Sequence, residues 1–120
     1  MLLVDDDQMV RAVCSNMLQA MKHDVLAIAS GTEAVRLLQG VHEPFDVMLL
    51  DDSMPEMDGL ATLEKLHSLG LRIKVVIISG GNATIDRYHA CCDLKPLGIL
   101  TKPFSLKRLG EALSLAGHAY

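Results

Sequence analysis

The chain has no tryptophan, two phenylalanines and two tyrosines in 120 residues. With half of its residues hydrophobic, its core must be aliphatic, built from Leu, Val, Ile, Met and Ala. It also lacks an excess of basic residues. A formal net charge of −4 argues against general binding to a nucleic-acid backbone, which needs clustered cations. No apolar run approaches the length of a membrane span. Met1-Leu2-Leu3-Val4 meets acids at once, so no signal peptide is expected. Cysteine is scarce. Cys14, Cys91 and Cys92 form an odd set without metal-ligand spacing, which suggests reduced thiols and a cytoplasmic protein. Adjacent Cys91-Cys92 has the makings of a redox pair, but two small residues on a helix is the preferred reading. Repeats, linkers and low-complexity stretches are absent too, and the length suits one domain spanning residues 1–120.

What is present is an alternation of short apolar runs with helical patterns. Strands are expected near 1–5, 24–29, 46–51, 73–78 and 97–101. Helices are expected near 8–21, 31–40, 59–69, 82–92 and 105–117. In the first helix Val10, Val13, Met17 and Met21 recur at helical spacing beside Cys14 and Leu18. Asp7 suits its N-cap. Ser30 or Gly31 starts the second helix, Ala34, Val35 and Leu38 face inward, and Gly40 ends it. Ser105 caps the last helix, whose inner stripe is Leu106, Leu109, Leu113 and Ala116. Such repeats predict an α/β fold with a parallel sheet and helices on both faces.

Several of these strands end in polar residues that chemistry can use. Leu2-Leu3-Val4 runs into Asp5-Asp6-Asp7, and Val47-Met48-Leu49-Leu50 into Asp51-Asp52. Ligands of open parallel sheets bind at the carboxyl ends of the strands. If the two strands are neighbours, about 4.8 Å apart, their carboxylates repel unless a cation relieves them. Mg²⁺ suits such a place, because it needs only one or two carboxylates and keeps waters or a phosphate. Asp7 is better read as a cap, Asp58 as turn chemistry before Gly59, and Asp52 as pointing away from Asp51. Ser53, two residues after Asp51, has a backbone carbonyl within reach of a metal there. The fourth strand ends at Ser79-Gly80-Gly81, where glycines let backbone N–H groups approach an anion. The fifth ends at Lys102-Pro103-Phe104. A lysine closing a buried strand suits a phosphoryl oxygen or a carboxylate, whereas Lys95-Pro96 lacks the preceding aliphatic run.

Together these stretches resemble the receiver domain of two-component response regulators, in particular the chemotaxis-regulator type. The matching residues are Leu-Leu-Val-Asp-Asp-Asp at 2–7, Leu-Asp-Asp-Ser-Met-Pro-Glu-Met-Asp-Gly at 50–59, Ile-Ile-Ser-Gly at 77–80 and Leu-Thr-Lys-Pro-Phe at 100–104. The resemblance implies a flavodoxin-like (βα)5 doubly wound sheet in three layers, strand order 2-1-3-4-5. It implies Asp51 as phosphoacceptor, with Asp5, Asp6, Asp51 and the Ser53 carbonyl around Mg²⁺, Asp5 acting mainly through water. Ser79, Gly80 and Lys102 would bind the phosphoryl group, and Lys102-Pro103 would be a cis peptide. A sensor histidine kinase or phosphotransfer protein would be the donor. The face from the fourth helix to the fifth would carry the switch to a downstream protein or a second copy. No nucleic acid or membrane contact is implied. The protein would be a self-phosphorylating and self-dephosphorylating switch rather than a turnover enzyme.

The chain departs from that pattern at two positions. Ile99 stands where many relatives carry Tyr or Phe, so an aromatic rotation at that position is not available. Lys95-Pro96 replaces the common Gly-Ala before the fifth strand. Two other readings compete. A metal-dependent phosphohydrolase with an Asp nucleophile commonly wants a second Asp two residues on, and here that residue is Ser53. A degenerate receiver acting only as an interaction module is disfavoured by the joint presence of Asp5, Asp6, Asp51, Ser79 and Lys102.

Overall fold

A computed structural model describes residues 1–40, 45–81, 85–91 and 95–115. Strands and helices alternate: β1 (Leu2–Val4), α1 (Gln8–Ala20), β2 (Leu26–Ile28), α2 (Gly31–Gly40), β3 (Val47–Asp51), α3 (Gly59–Ser68), β4 (Lys74–Ser79), α4 (Ile85–Cys91), β5 (Gly98–Thr101) and α5 (Leu106–Ser114). All strand pairs are parallel, in the order β2-β1-β3-β4-β5. The order reverses between β1 and β3, so a crevice opens beyond their carboxyl ends.

The period of two along each strand sorts the core into two layers. Leu2, Val4, Met48, Leu50, Val75 and Ile77 face one way and pack on Ala34 and Val35 of α2, Leu63 and Leu66 of α3, and Tyr88 of α4. Leu3, Val47, Leu49, Val76, Ile78 and Leu100 face the other way, onto Cys14 and Leu18 of α1 and Leu109 and Leu113 of α5. Each fully buried aliphatic side chain contributes about 1.5–3 kcal/mol, so the two layers drive assembly, with Tyr88 the only aromatic among the buried residues described.

Local signals set the helix ends. The Asp7 side chain accepts from the N–H groups of Met9 and Val10, and the Ser105 hydroxyl accepts from Arg108 N–H. Ser30 Oγ accepts from Glu33 N–H at 3.1 Å and so starts α2. Asp58 caps α3 through Ala61 N–H.

Some expectations change. The stripe of α1 centres on Cys14 and Leu18 with Val10, Met17 and Met21, leaving Val13 at its margin and 51% exposed. Leu106 is exposed as well, because α5 begins there and its buried stripe runs through Leu109 and Leu113. β2 is shorter than expected and carries an exposed Leu26, as an edge strand does. The expected beginning of the fourth helix at 82–84, the paired Cys92 and the inward Ala116 lie outside the described residues.

Candidate functional site

The crevice is built from strand ends. β1 stops at Val4, and the Asp5 N–H still pairs with Ile28 O at 3.1 Å. That bond keeps Asp5 in line with the sheet, and its side chain is fully buried. Its Oδ1 accepts from Asp7 N–H at 2.9 Å, and Arg11 Nη1 donates to its carbonyl oxygen at 2.7 Å. Asp51 ends β3 and is 3% exposed. Asp6, which is exposed, completes a set of three carboxylates that each offer one oxygen within 4.8 Å of the others.

Lys102 reaches into this set from β5. Its backbone N–H donates to Ser79 O at 2.7 Å, which aligns the chain just past the strand. Its Nζ donates to Asp51 Oδ1 at 3.0 Å and lies 3.1 Å from Asp5 Oδ2. The Lys102-Pro103 bond is cis. Ser79 is buried at the end of β4, one residue past Ile78, the register partner of Asp51. Its Oγ accepts from Gly81 N–H at 3.0 Å. Gly80, Gly81 and Ser53 are exposed at the rim.

The electrostatics follow from burial and crowding. Burial pushes the Asp51 carboxyl up from 3.8 to about 6; Lys102 opposes that rise, and Asp5 and Asp6 add to it. Burial works against the charge of Lys102, but Asp51 and Asp5 outweigh it and the pKa is raised, so the ammonium is retained. The Cys14 thiol below is pushed up to about 11, chiefly by burial and then by Asp5, which makes it a packing residue rather than a nucleophile.

The residues fit a hard divalent cation. Three carboxylates meet a single ammonium, an excess of acid in a mostly buried place. Asp5 Oδ2 receives no hydrogen bond although it is buried, and Lys102 balances it only as an ion pair. An oxygen left so is a natural ligand atom for a cation such as Mg²⁺.

Other acids have structural duties. Asp7 and Asp58 are caps. Asp52 turns from the crevice and accepts a hydrogen bond from the hydroxyl of Tyr88. Tyr88 and Arg11 were not singled out by the sequence pattern. Arg11 carried no signal, since its partner is a backbone carbonyl. For Tyr88 a signal existed: one of only two tyrosines lies inside a helical segment.

A doubly wound parallel sheet with an acidic crevice at its switch point and a lysine reaching into it defines a flavodoxin-like class of α/β domains. Residues 1–114 match the response regulator receiver domain family, and the chain belongs to that family as a receiver domain of two-component signalling. It is 36% identical over 112 residues to the sensor kinase CckA of Brucella abortus, covering 93% of this chain and 12% of that protein. It is 31% identical over 114 residues to the probable C4-dicarboxylate response regulator DctR of Priestia megaterium, covering 93% of this chain and 49% of that one. The chain thus spans at most about half the length of these curated relatives. Among solved structures, the receiver domain of the Francisella response regulator 1452 superposes with a TM-score of 0.78 at 27% identity, covering 97% of this chain and 94% of that one. The Vibrio cholerae chemotaxis protein CheY4 superposes with 0.80 at 25% identity, covering 94% and 93%.

Proposed function

We propose that this domain, spanning residues 1–120, is a phosphorylation switch in which Asp51 accepts a phosphoryl group from a histidine kinase or phosphotransfer protein. The observation that carries this reading is the contact of one lysine with two buried carboxylates from different strands, 3.0 Å from Asp51 and 3.1 Å from Asp5. A carboxylate is a competent covalent nucleophile when neighbouring positive charge offsets that of the incoming group. An Asp51 oxygen attacks phosphorus, the P–N bond of a phosphohistidine breaks, and its electron pair leaves with the imidazole. Lys102 then exchanges its Asp51 contact for a phosphoryl oxygen. Ser79 Oγ and the N–H groups at Gly80 and Gly81 take others. Asp5, Asp6, Asp51 and the Ser53 carbonyl would hold Mg²⁺, whose chemistry when bound is to neutralise charge on the phosphoryl oxygens.

The domain is a switch rather than a turnover enzyme. Water ends the phosphorylated state by attack at phosphorus; the P–O bond to Asp51 breaks, its electron pair returns to the carboxylate and inorganic phosphate leaves, and the small, exposed Ser53 and Gly81 leave the water room. The lack of a second Asp at position 53 counts against a phosphohydrolase. A donor protein has a surface beside the site: an apolar hollow of about 250 Å³ lined by Met9, Val10, Val13, Met17, Lys102 and Phe104. Met9 and Val13 are well exposed there, at 75% and 51%. Among the described residues no helix is long and apolar enough to cross a membrane. A cytoplasmic location, a downstream protein or a second copy on the α4–β5–α5 face, and no nucleic-acid contact complete the reading.

Incubation with Mg²⁺ and acetyl phosphate, followed by intact mass, tests it. Wild type is expected to gain one phosphoryl group and Asp51→Asn none. No gain in folded wild type would favour a module that binds partners without phosphorylation.

A further inference from the structure

Tyr88 heads the fully buried side chains by size. Its ring lies in the apolar layer under α2, α3 and α4, and Ile99 packs against that layer. A buried phenol needs a hydrogen-bond partner, and Tyr88 donates to the side chain of Asp52. Burial, followed by Asp52, raises the phenol pKa, so the hydroxyl remains a neutral donor.

Asp52 is a junction. It follows Asp51 directly in the chain. Its N–H donates to Ile78 O of β4 at 2.8 Å, and its carbonyl accepts from Gly59 N–H of α3 at 3.0 Å. The Tyr88 bond adds α4, so three elements besides β3 meet at this residue. The space is shaped for it. A Cβ on Gly59 would stand 2.7 Å from the Tyr88 hydroxyl, 3.0 Å from Asp51 O and 3.1 Å from Asp52 Cα. Glycine at 59 is what lets the phenol reach.

We propose that Tyr88 and Asp52 form a latch that positions α4 against the acceptor loop and tightens when Asp51 is phosphorylated. The proposal rests on Asp51 as acceptor. The phosphoryl group carries about −1.5 to −2 charges and replaces the single charge of the Asp51 carboxylate, a net gain of up to about one negative charge one residue from Asp52. The phenol presents the positive end of its O–H dipole to that place, so added negative charge strengthens the attraction. Ile99 carries no hydroxyl, so α4 receives the signal through position 52 rather than through β5. Ser79 follows Ile78, and a shift at the end of β4 therefore acts on the same junction.

Amide hydrogen exchange over Ile85–Cys91 tests the latch, with and without Mg²⁺ and beryllium fluoride as a phosphoryl mimic. Wild type should exchange several-fold more slowly when loaded. Tyr88→Phe keeps the ring and removes the hydroxyl; its α4 should exchange faster unloaded and show no slowing on loading. Asp52→Asn keeps an acceptor oxygen without charge. It should lose part of the unloaded protection, because the phenol then donates to a neutral acceptor, and keep the loading-dependent slowing, a split that a purely structural contact would not produce. Wild-type exchange rates in Tyr88→Phe, or loading-dependent slowing that survives Tyr88→Phe or is lost in Asp52→Asn, would overturn the latch. Phosphoryl gain is measured by intact mass on the same proteins. A wild type that gains none removes the acceptor reading and with it the coupling, whereas gain with unchanged α4 exchange removes the latch alone.

Discussion

The two walls of the crevice are held to different degrees. β3 is buried at every residue and delivers Asp51 at 3% exposure. β5 is an edge strand, half-buried at its start and exposed at Thr101, and the Lys102 side chain it delivers is 27% exposed. The neighbouring rim on that side is Gly80 and Gly81, both exposed, with φ of +121° at Gly81. Asp51, the proposed nucleophile, is therefore held by the packed centre of the sheet, while its counter-charge sits on a more exposed edge. A switch needs that division. On the proposed reading the acid stays where transfer occurs, and the groups that meet the product move toward it.

Removing the charge on the more exposed wall should have the largest effect. Lys102→Ala is expected to slow phosphoryl gain from acetyl phosphate by roughly a hundredfold or more, the cost of losing a preorganised charge contact, read by timed intact mass. A rate close to wild type would mean that the two walls do not share the work. Filling the fixed wall comes next. Gly59→Ala has no room beside Tyr88 and Asp51, and overpacking there should cost about 1–3 kcal/mol in urea unfolding. An unchanged midpoint would show that the wall yields.

Acidity separates the walls further. The folded protein binds the Asp51 proton more tightly than the unfolded chain, with a pKa of about 6 against 3.8. The stability linked to that proton is present in full below pH 3.8 and is lost as pH rises through 6. In EDTA at pH 7, Asp51→Asn should therefore be more stable than wild type by about 1–3 kcal/mol, and the gap should close as pH falls toward 4. A gap independent of pH would contradict the burial argument. The smallest effect is expected at the exposed rim. Ser53→Met should lengthen the life of the phosphorylated state several-fold by obstructing water, and an unchanged lifetime would remove Ser53 from that role.

Much of this division was legible in the residue order. Buried strands read as unbroken apolar runs, so Asp5, Asp51, Ser79 and Lys102 stood out as the polar residues that end them. Caps were legible at Asp7 and Ser105 because their chemistry is local, whereas Asp58 read as turn chemistry and is the N-cap of α3. Side chains whose duty depends on a distant partner were not. Val13 fits the helical period yet lies at the edge of the buried stripe. Asp52 reads as a spare acid until Tyr88, 36 residues on, is brought beside it. The lysine's position at the end of a strand could be read, and the strand order implied by the resemblance put β1 beside β3; what the folded sheet adds is the contact itself, 3.0 Å from Asp51 and 3.1 Å from Asp5.

The central claim is that the buried Asp51, and no other acid of the cluster, takes the phosphoryl group. Borohydride reduction after loading with Mg²⁺ and acetyl phosphate converts an aspartyl phosphate to homoserine, and peptide mass spectrometry locates it. The account predicts homoserine at position 51 alone, absent without Mg²⁺. Homoserine at 5, 6 or 52, or none in a protein that has gained phosphoryl mass, would contradict it.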